Sequence, residues 1–411
     1  MYLLLNQSEK DEIQNIIKHW IRISKIKLGW IHDFDKIVAK YAANIFMLDT
    51  FCSSSKLLKT FTGHKNWIYS IDYSVLNDNQ FICSGSADST IRVWDVDNNE
   101  QIQSFNGHSK SVYCVKFSPY HYRNHRRNVV CSSSDDKTIS FWDFKDNIAF
   151  QRYNQHTDSV FCIEFSSFNG GQYLCSGSND RTIHLYDVET HKSLHVFKGH
   201  TKGVLCTDFS PLQSIKNNKN DNNKSNIIGL IGGNGYTICS GSYDGTIRIW
   251  DIETSKQLTV FNGHESNVWS VKYGSNELIN SNVNTILSGS NDKSVRLWDI
   301  RSCQQIQVFN GHKSTVYTVE YSPFVVNNIE VSDNSSVICS GSFDNTIRFW
   351  DIRSNKKELY MIKGDIQEDY GIRCFKFISS KKNRNDNDKT NQNCEINLCY
   401  CSVNGSIRIW G

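Results

Sequence analysis

The sequence predicts an all-β fold built from seven copies of one short unit, preceded by a helical segment. The first observation is a Trp-Asp pair at Trp94, Trp142, Trp250, Trp298 and Trp350, whose place is taken by Tyr186-Asp187 in one unit and by Trp410-Gly411 in the last. The second is a Gly-His pair, or a variant of it, found 13 residues after each of the first six aromatics, as from Trp94 to Gly107. Such self-similarity at a fixed period indicates a repeat architecture.

The residues between these marks alternate as β-strands do. In the first unit Thr90–Trp94 has apolar residues at every second position and is rich in β-branched residues. Each unit has room for four such strands, and most of the length variation falls in one stretch, between the His and the turn Asp. A single four-stranded sheet cannot bury both of its faces, so the units must stack radially into a ring.

In these features, residues 55–411 resemble the WD40 repeat family. The resemblance implies a seven-bladed WD40 β-propeller of four-stranded antiparallel blades. The chain stops at Trp410-Gly411, after the third strand of unit seven. Residues 56–64 match residues 256–264, which contain a fourth strand, so we expect strand 56–61 to complete the last blade and to remove its open edge.

Residues 1–54 lie outside the predicted ring and form a separate N-terminal helical segment. Ser8 with Asp11 reads as a helix-capping pair, and two apolar stripes at helical spacing follow it up to Leu48. We interpret them as a short helical hairpin. The two stripes either pack on the propeller or provide a surface for self-association or partner docking through residues 8–48.

The composition narrows the class of function and the compartment. The formal net charge is +3, so nucleic-acid binding is not expected, and no apolar stretch is long enough to span a membrane. Most of the 14 cysteines recur at fixed repeat positions, and none forms a Cys-x-x-Cys pair. We therefore expect a reduced compartment, cytoplasmic or nuclear, with no bound metal and no cofactor.

Five repeats carry a His, a Ser, an Asp and a Trp at equivalent positions, a set that invites comparison with a hydrolase triad. An active site is not normally repeated around a ring. The family resemblance implies instead that each set is a structural tetrad joined by buried hydrogen bonds. The five tetrads are His64, Ser84, Asp88 and Trp94; His108, Ser132, Asp136 and Trp142; His200, Ser240, Asp244 and Trp250; His264, Ser288, Asp292 and Trp298; and His312, Ser340, Asp344 and Trp350.

The resemblance also implies that partners bind the top face, which carries the Gly-His loops and the Asp turns. The candidate partner-binding residues are unusually aromatic: Trp67, Tyr69, Tyr113, Asp135, Phe161, Tyr243, Trp269, Tyr317, Phe343 and Arg373. Aromatic side chains are enriched at protein interfaces. We expect a short peptide that inserts one Arg or Lys, or one apolar anchor, between these rings.

The predicted function is that of a non-enzymatic scaffold, which docks proteins or peptides on its top face within a multiprotein assembly. The alternative is a substrate receptor of a cullin-RING ubiquitin ligase. Receptors of that kind carry an Arg two residues after the Asp of Trp-Asp on neighbouring blades, and Arg301 and Arg353 hold these positions in units five and six. An enzyme would need one unrepeated constellation of reactive groups, which the sequence does not offer.

Overall fold

In the computed structural model of the protein, the described residues form 28 strands, β1 to β28, arranged in seven four-stranded sheets. The residues that it describes are 48, 51–52, 55–210, 236–274, 285–326, 335–352, 358–365, 369–379 and 396–411. The predicted helical hairpin lies outside these residues, except for a helical turn at Leu48 and Phe51–Cys52.

Each sheet is one blade, whose neighbouring strands run antiparallel, and the seven predicted blades are confirmed. Blade 1 contains β2 (Ile68–Leu76), β3 (Asn79–Ser86), β4 (Ile91–Asp95) and β5 (Glu100–Phe105). Blade 2 contains β6 (Val112–Phe117), β7 (Val129–Ser134), β8 (Ile139–Asp143) and β9 (Ile148–Tyr153). Blade 3 contains β10 (Val160–Phe165), β11 (Tyr173–Ser178), β12 (Thr182–Asp187) and β13 (Lys192–Lys198).

The next three blades repeat this order. Blade 4 contains β14 (Val204–Phe209), β15 (Thr237–Ser242), β16 (Ile247–Asp251) and β17 (Gln257–Phe261). Blade 5 contains β18 (Val268–Tyr273), β19 (Thr285–Ser290), β20 (Ser294–Asp299) and β21 (Gln304–Asn310). Blade 6 contains β22 (Val316–Val326), β23 (Ser335–Ser342), β24 (Thr346–Asp351) and β25 (Glu358–Lys363).

Blade 7 is built from both parts of the propeller chain. It contains β26 (Ile372–Ser379), β27 (Ile396–Ser402), β28 (Ser406–Trp410) and, as its outer strand, β1 (Leu57–Thr62). The pairing runs from Leu57 opposite Trp410 to Thr62 opposite Ser406, so the expected closure of the last blade by the segment near 56–61 is confirmed. β28 therefore has a partner strand on both of its edges.

The first strands of the blades line the centre of the ring. Each contacts the first strands of its two neighbours, from β2 through β6, β10, β14, β18 and β22 to β26, which returns to β2. The apolar core lies between blades rather than inside one sheet. Phe61 and Trp94, for example, pack against Ile407 and Ile409 where blade 7 meets blade 1. A blade is therefore stable only with its neighbours in place.

Two features outside the strands were not predicted. A short helix, α1 (Pro119–His125), lies between β6 and β7, with Pro119 in its first turn, a position that proline favours. A 3-10 turn at Asn169–Gly171 packs near it. Of the helices in the described ranges, none is long and apolar enough to cross a membrane.

Candidate functional site

The five predicted tetrads form the same chain of hydrogen bonds in their blades. In blade 1, Trp94 Nε1 donates to Ser84 Oγ (2.9 Å), Ser84 Oγ lies 2.8 Å from His64 Nε2, and His64 Nδ1 lies 2.9 Å from Asp88 Oδ2. The corresponding distances in blades 2, 4, 5 and 6 lie between 2.7 and 2.9 Å. Each tetrad thus fastens a Gly-His loop to the strand and turn beside it.

The tetrad serine is not placed to act as a nucleophile. Ser84, Ser132, Ser240, Ser288 and Ser340 are fully buried, with 0 % of each residue exposed. Each hydroxyl oxygen also accepts a hydrogen bond from the tetrad Trp, which occupies a lone pair that an attacking oxygen would need. Burial lowers the pKa of His264 despite the opposing Asp292 carboxylate, so the ring stays neutral at pH 7. These groups hold the blade together.

Blade 3 contains a variant of this arrangement that the sequence analysis did not assign as a tetrad. His156 lies 2.7 Å from both Ser176 Oγ and Asp180 Oδ2, as in the other blades. Tyr186 replaces the Trp, and its hydroxyl lies 3.3 Å from His184 Nδ1 while its ring stacks on Tyr153 at 4.5 Å. The recurring spacing around Tyr186 was the signal for this network.

Blade 7 replaces the tetrad with a different buried network. Tyr400, at the position of the tetrad Ser, donates to Asp369 Oδ2 at 3.0 Å. Arg408 Nε lies 2.9 Å from Asp369 Oδ1, and the side chains of this ion pair are 6 % and 0 % exposed. Asn404, at the position of the tetrad Asp, accepts hydrogen bonds from Ser402 and Ser406 of its own turn. Blade 7 is therefore anchored by Asp369, which the sequence analysis did not identify.

We expect Asp292→Ala to lower the free energy of unfolding by about 3 kcal/mol, because several donors lose a buried acceptor together. Asp292 accepts from His264 Nδ1 (2.7 Å), from the Glu265 amide and from the Ser294 amide and hydroxyl. Urea denaturation measures the change. Asn404→Ala is the matched control and should cost about 1 kcal/mol, because only turn hydrogen bonds are lost. Equal losses for the two variants would contradict this account of the tetrads.

Acidification should destabilise the protein in part through buried histidines. Burial, and then the neighbouring His156, lower the pKa of His184 from 6.5 to about 4. Between pH 6.5 and pH 4 the unfolded chain binds a proton at His184 that the folded chain does not bind. The free energy of unfolding therefore falls as the pH drops below 6.5. We expect His184→Gln to reduce the slope of unfolding free energy against pH between 6.5 and 4. Identical slopes for wild type and His184→Gln in urea titrations would refute this.

The mouth of the channel on the top face is shaped by one β-bulge in each blade. The first strand of every blade skips one residue in its pairing with the second strand, as between Ile68 and Ser70 in blade 1. A bulge leaves its extra residue unpaired and turns its side chain away from the regular alternation. The skipped residues are Tyr69, Tyr113, Phe161, Leu205, Trp269, Tyr317 and Arg373.

The aromatic bulge residues and Tyr243 form a continuous series of contacts, and we call these six side chains the aromatic ring of the mouth: Tyr69, Tyr113, Phe161, Tyr243, Trp269 and Tyr317. Tyr243 comes from the Asp turn of blade 4, the blade whose bulge residue is Leu205. The centroid distances along the series are 5.1 Å for Tyr69–Tyr113, 5.0 Å for Tyr113–Phe161, 5.7 Å for Phe161–Tyr243, 5.7 Å for Tyr243–Trp269 and 5.2 Å for Trp269–Tyr317. Such tilted and edge-to-face contacts are the favoured geometries of aromatic pairs.

Arg373 of blade 7 closes this series. Its guanidinium carbon lies 4.0 Å from the centroid of Tyr317, 5.0 Å from that of Tyr69 and 5.8 Å from that of Trp269. Contacts to rings of blades 1, 5 and 6 place the cation toward the middle of the mouth. All lie within the distance at which a cation is attracted to an aromatic face.

The remaining predicted top-face residues lie at the rim. Trp67 and Phe343 are 42 % and 41 % exposed, and Phe343 contacts Tyr317 at 6.1 Å between centroids. Asp135 is half-buried; it accepts from Ser159 Oγ and lies 3.5 Å from Lys110 Nζ. The structure therefore brings the ten predicted residues to one face.

Of the two arginines of the alternative function, Arg301 and Arg353, the structure describes the first. Arg301 is exposed in the turn between β20 and β21, where its backbone amide donates to Asp299 Oδ1 at 2.9 Å. Arg353 lies outside the described residues. The turn of Arg301 follows the Trp-Asp pair and is thus at the bottom face, opposite the aromatic ring.

The bottom part of the channel holds a ring of charged side chains that the sequence analysis missed. The seven first strands carry one each: Asp72, Lys116, Glu164, Asp208, Lys272, Glu320 and Lys376. Lys116 lies 2.6 Å from Glu164, Lys272 lies 3.3 Å from Asp208 and 3.5 Å from Glu164, and Lys376 lies 2.5 Å from Glu320. The signal was present, because a charged residue precedes a Tyr or Phe in every repeat.

The charged side chains of this ring shift the pKa values of their neighbours. Burial opposes the ionisation of Glu164, but Lys116, Lys272 and Lys376 outweigh it and lower the pKa of Glu164 to about 2. Burial likewise raises the pKa of Asp208 against the opposing effect of Lys272. An open pocket of about 360 Å³ adjoins the ring beside Lys272 and Glu320, with Phe377 in its wall. We assign no ligand to this pocket.

Taken together, the fold and the mouth define a seven-bladed propeller whose top face presents a ring of aromatic side chains. The family model described as "WD domain, G-beta repeat" matches residues 55–95, 99–143, 149–187, 191–251, 255–299 and 303–351, which is more than half of the chain. The chain belongs to the WD40 family. The matched segments end in blade 6, and the structure supplies the seventh blade.

Curated relatives match the chain over short segments. It is 33% identical over 63 residues to the mouse (Mus musculus) "Peroxisomal targeting signal 2 receptor", covering 15% of this chain and 20% of the relative. It is 33% identical over 83 residues to "WD repeat protein iqw1" of Schizosaccharomyces pombe, covering 20% and 10%. A third match, 36% identical over 62 residues, is "U3 small nucleolar RNA-associated protein 15 homolog" of Xenopus tropicalis, covering 15% and 12%. The chain thus spans a fifth or less of these relatives' lengths.

Proposed function

We propose that the protein is a non-enzymatic scaffold that binds a protein or peptide on its top face within a multiprotein assembly. The observation that carries this proposal is the aromatic ring of the mouth, which runs without a break from Tyr69 to Tyr317 and is closed by Arg373. Six blades contribute its rings, so a partner seated there would contact most of the propeller at once.

The chemistry of the face supports a protein partner. Energetically important interface residues are enriched in Trp, Tyr and Arg, and they cluster at the centre of an interface. Trp67 and Phe343 expose large apolar surfaces at the rim of the mouth. One relative is named as a receptor for a targeting signal, and the match to it covers 63 residues.

The proposal is tested by affinity purification of the tagged full-length protein with quantitative mass spectrometry. The top-face variant carries Phe161→Ala and Tyr317→Ala, and the bottom-face control carries Arg301→Ala. We expect the top-face variant to lose the partners that the wild type retains, while the control keeps them. Circular dichroism and thermal unfolding confirm that the variants are folded. Partners lost with Arg301→Ala and kept by the top-face variant would place binding on the bottom face.

A cullin-RING ligase receptor is the alternative, and the exposure of Arg301 on the bottom face is the observation that favours it. Adaptor contacts made by Arg301 and Arg353 would leave the top face free for a substrate. Co-purification with the ligase adaptor, lost on Arg301→Ala plus Arg353→Ala and unaffected by Phe161→Ala plus Tyr317→Ala, would support this role. An absence of the adaptor from wild-type purifications under proteasome inhibition would exclude it.

We further propose that residues 1–54 form a unit distinct from the propeller of residues 55–411. Residues 8–48 of this unit mediate self-association. The protein works in the cytoplasm or the nucleus. Leu48 and Phe51 are buried against blades 6 and 7, so the segment approaches the ring there. Light scattering during size exclusion, comparing the full chain with a variant lacking residues 1–47, tests self-association. Equal oligomeric states would argue against it.

A further inference from the structure

We propose that the partner of the top face is an acidic peptide segment, one carboxylate of which pairs with Arg373. The inference rests on the proposed top-face function and adds the chemistry of the ligand. It replaces the expectation of an inserted Arg or Lys, because the protein's own cation already lies among the rings that would receive one. A second cation brought there by a ligand would be repelled.

Arg373 stands at a position where other blades carry an aromatic residue. It is the bulge residue of blade 7, equivalent to Tyr69 in blade 1 and Tyr317 in blade 6. The same bulge that directs those rings toward the mouth directs the guanidinium there. The mouth therefore combines an apolar wall with one fixed positive charge near its middle, an arrangement suited to a single anionic group.

Two buried donors in the mouth have no acceptor among the residues that the structure describes. They are Arg373 Nε and Trp269 Nε1. Buried polar groups are nearly always hydrogen-bonded, so two orphaned donors beside each other indicate an acceptor supplied from outside. The nearby carboxylate of Asp135 is engaged by Ser159 and Lys110. Burial, and then Asp135, raise the pKa of Tyr113 to about 12, which keeps its hydroxyl available as a further donor.

A carboxylate fits the mouth better than a phosphate does. A guanidinium binds a carboxylate with two parallel hydrogen bonds, and the single positive charge of Arg373 balances a single negative charge. A phosphoryl group carries nearly two negative charges and is usually held by a cluster of arginines. Here Arg373 is the one cation in contact with the aromatic ring among the described residues, and Lys110 pairs with Asp135 at the rim.

The test is selection of a random twelve-residue peptide display library on the full-length protein, followed by calorimetry with synthetic copies of the selected peptides. We expect the selected peptides to share an Asp or a Glu. Replacing that residue by Asn or Gln should weaken binding about tenfold or more, the effect of losing a charge-assisted hydrogen bond. The protein variant Arg373→Tyr, which restores the ring found in blades 1 and 6, should lose this preference while retaining the thermal stability of the wild type.

Each other outcome has a defined meaning. If the selected peptides need Phe161 and Tyr317 but are neutral or basic, the proposed carboxylate ligand is refuted and the proposed function stands. Peptides indifferent to Phe161→Ala and Tyr317→Ala, or no selected peptide at all, would overturn both. A phosphoserine that binds more than tenfold tighter than the Glu it replaces would show that phosphate is the ligand. If Arg373→Tyr does not fold, calorimetry with the Arg373→Gln variant and with the Glu→Gln peptides tests the same pairing.

Discussion

Deletion of residues 1–61 is expected to abolish folding of the propeller. The deletion removes the pairing partner of β28 from Leu57 to Phe61, which loses about 5 kcal/mol if each of some five backbone hydrogen bonds contributes about 1 kcal/mol. It also removes Phe61, a side chain that is 3 % exposed and contacts Trp94 at 5.5 Å, for about 2 kcal/mol more. The sum, about 7 kcal/mol, falls within the typical total stability of a folded domain, about 5–15 kcal/mol.

The matched control is deletion of residues 1–47. This variant keeps β1 and also keeps Leu48 and Phe51, which are 4 % and 5 % exposed and pack against blades 6 and 7. It should fold and unfold cooperatively. Soluble expression, circular dichroism and thermal unfolding distinguish the two variants. A deletion of 1–61 that yields a monomer with the thermal stability of the control would show that β1 does not hold the ring closed.

The second large effect is expected from Asp369→Ala in blade 7. The change removes the acceptor of the Tyr400 hydroxyl and the carboxylate that Arg408 pairs with, in a site where both ion-pair side chains are nearly inaccessible. Breaking a buried ion pair from one side costs about 3–5 kcal/mol, because the other charge stays buried. Urea denaturation should show this loss.

Two comparisons make the Asp369 result specific. Asn404→Ala, in the same blade, should cost much less, because Asn404 bonds only within its own turn. The double change Asp369→Leu with Arg408→Met should recover part of the loss, since no unpaired charge remains. Similar losses for Asp369→Ala and Asn404→Ala would mean that blade 7 does not depend on this network.

The recurring spacing was sufficient to predict the blades, and the family resemblance implied the hydrogen bonds of the tetrads. Ser, Asp and Trp keep a fixed spacing in each tetrad, as in Ser84, Asp88 and Trp94, although the stretch that leads to them from the His varies in length. The closure by β1 was predictable for the same reason, since residues 56–64 repeat a segment that elsewhere forms a fourth strand.

The details of the mouth and of blade 7 depend on features that spacing does not contain. Arg373 was among the predicted residues, but its direction depends on a bulge and on a long side chain crossing toward Tyr317. Asp369 was missed because it comes from a loop that does not keep the Gly-His spacing, and it reaches Tyr400 and Arg408 only in three dimensions. The charged ring was missed because each of its members, taken alone, looks like an ordinary polar position of a strand.

The charged ring also opposes the loss of particular blades. The tetrads make blades 1, 2, 4, 5 and 6 nearly interchangeable, and chains of similar repeats are prone to pairing with the wrong neighbour during assembly. In the channel, Lys116 lies between Asp72 and Glu164, and Lys272 lies between Asp208 and Glu320. Loss of blade 2 would bring Asp72 beside Glu164, and loss of blade 5 would bring Asp208 beside Glu320, in each case two buried like charges without the lysine between them. The channel charges thus disfavour a ring that closes without blade 2 or blade 5, which the tetrads cannot do.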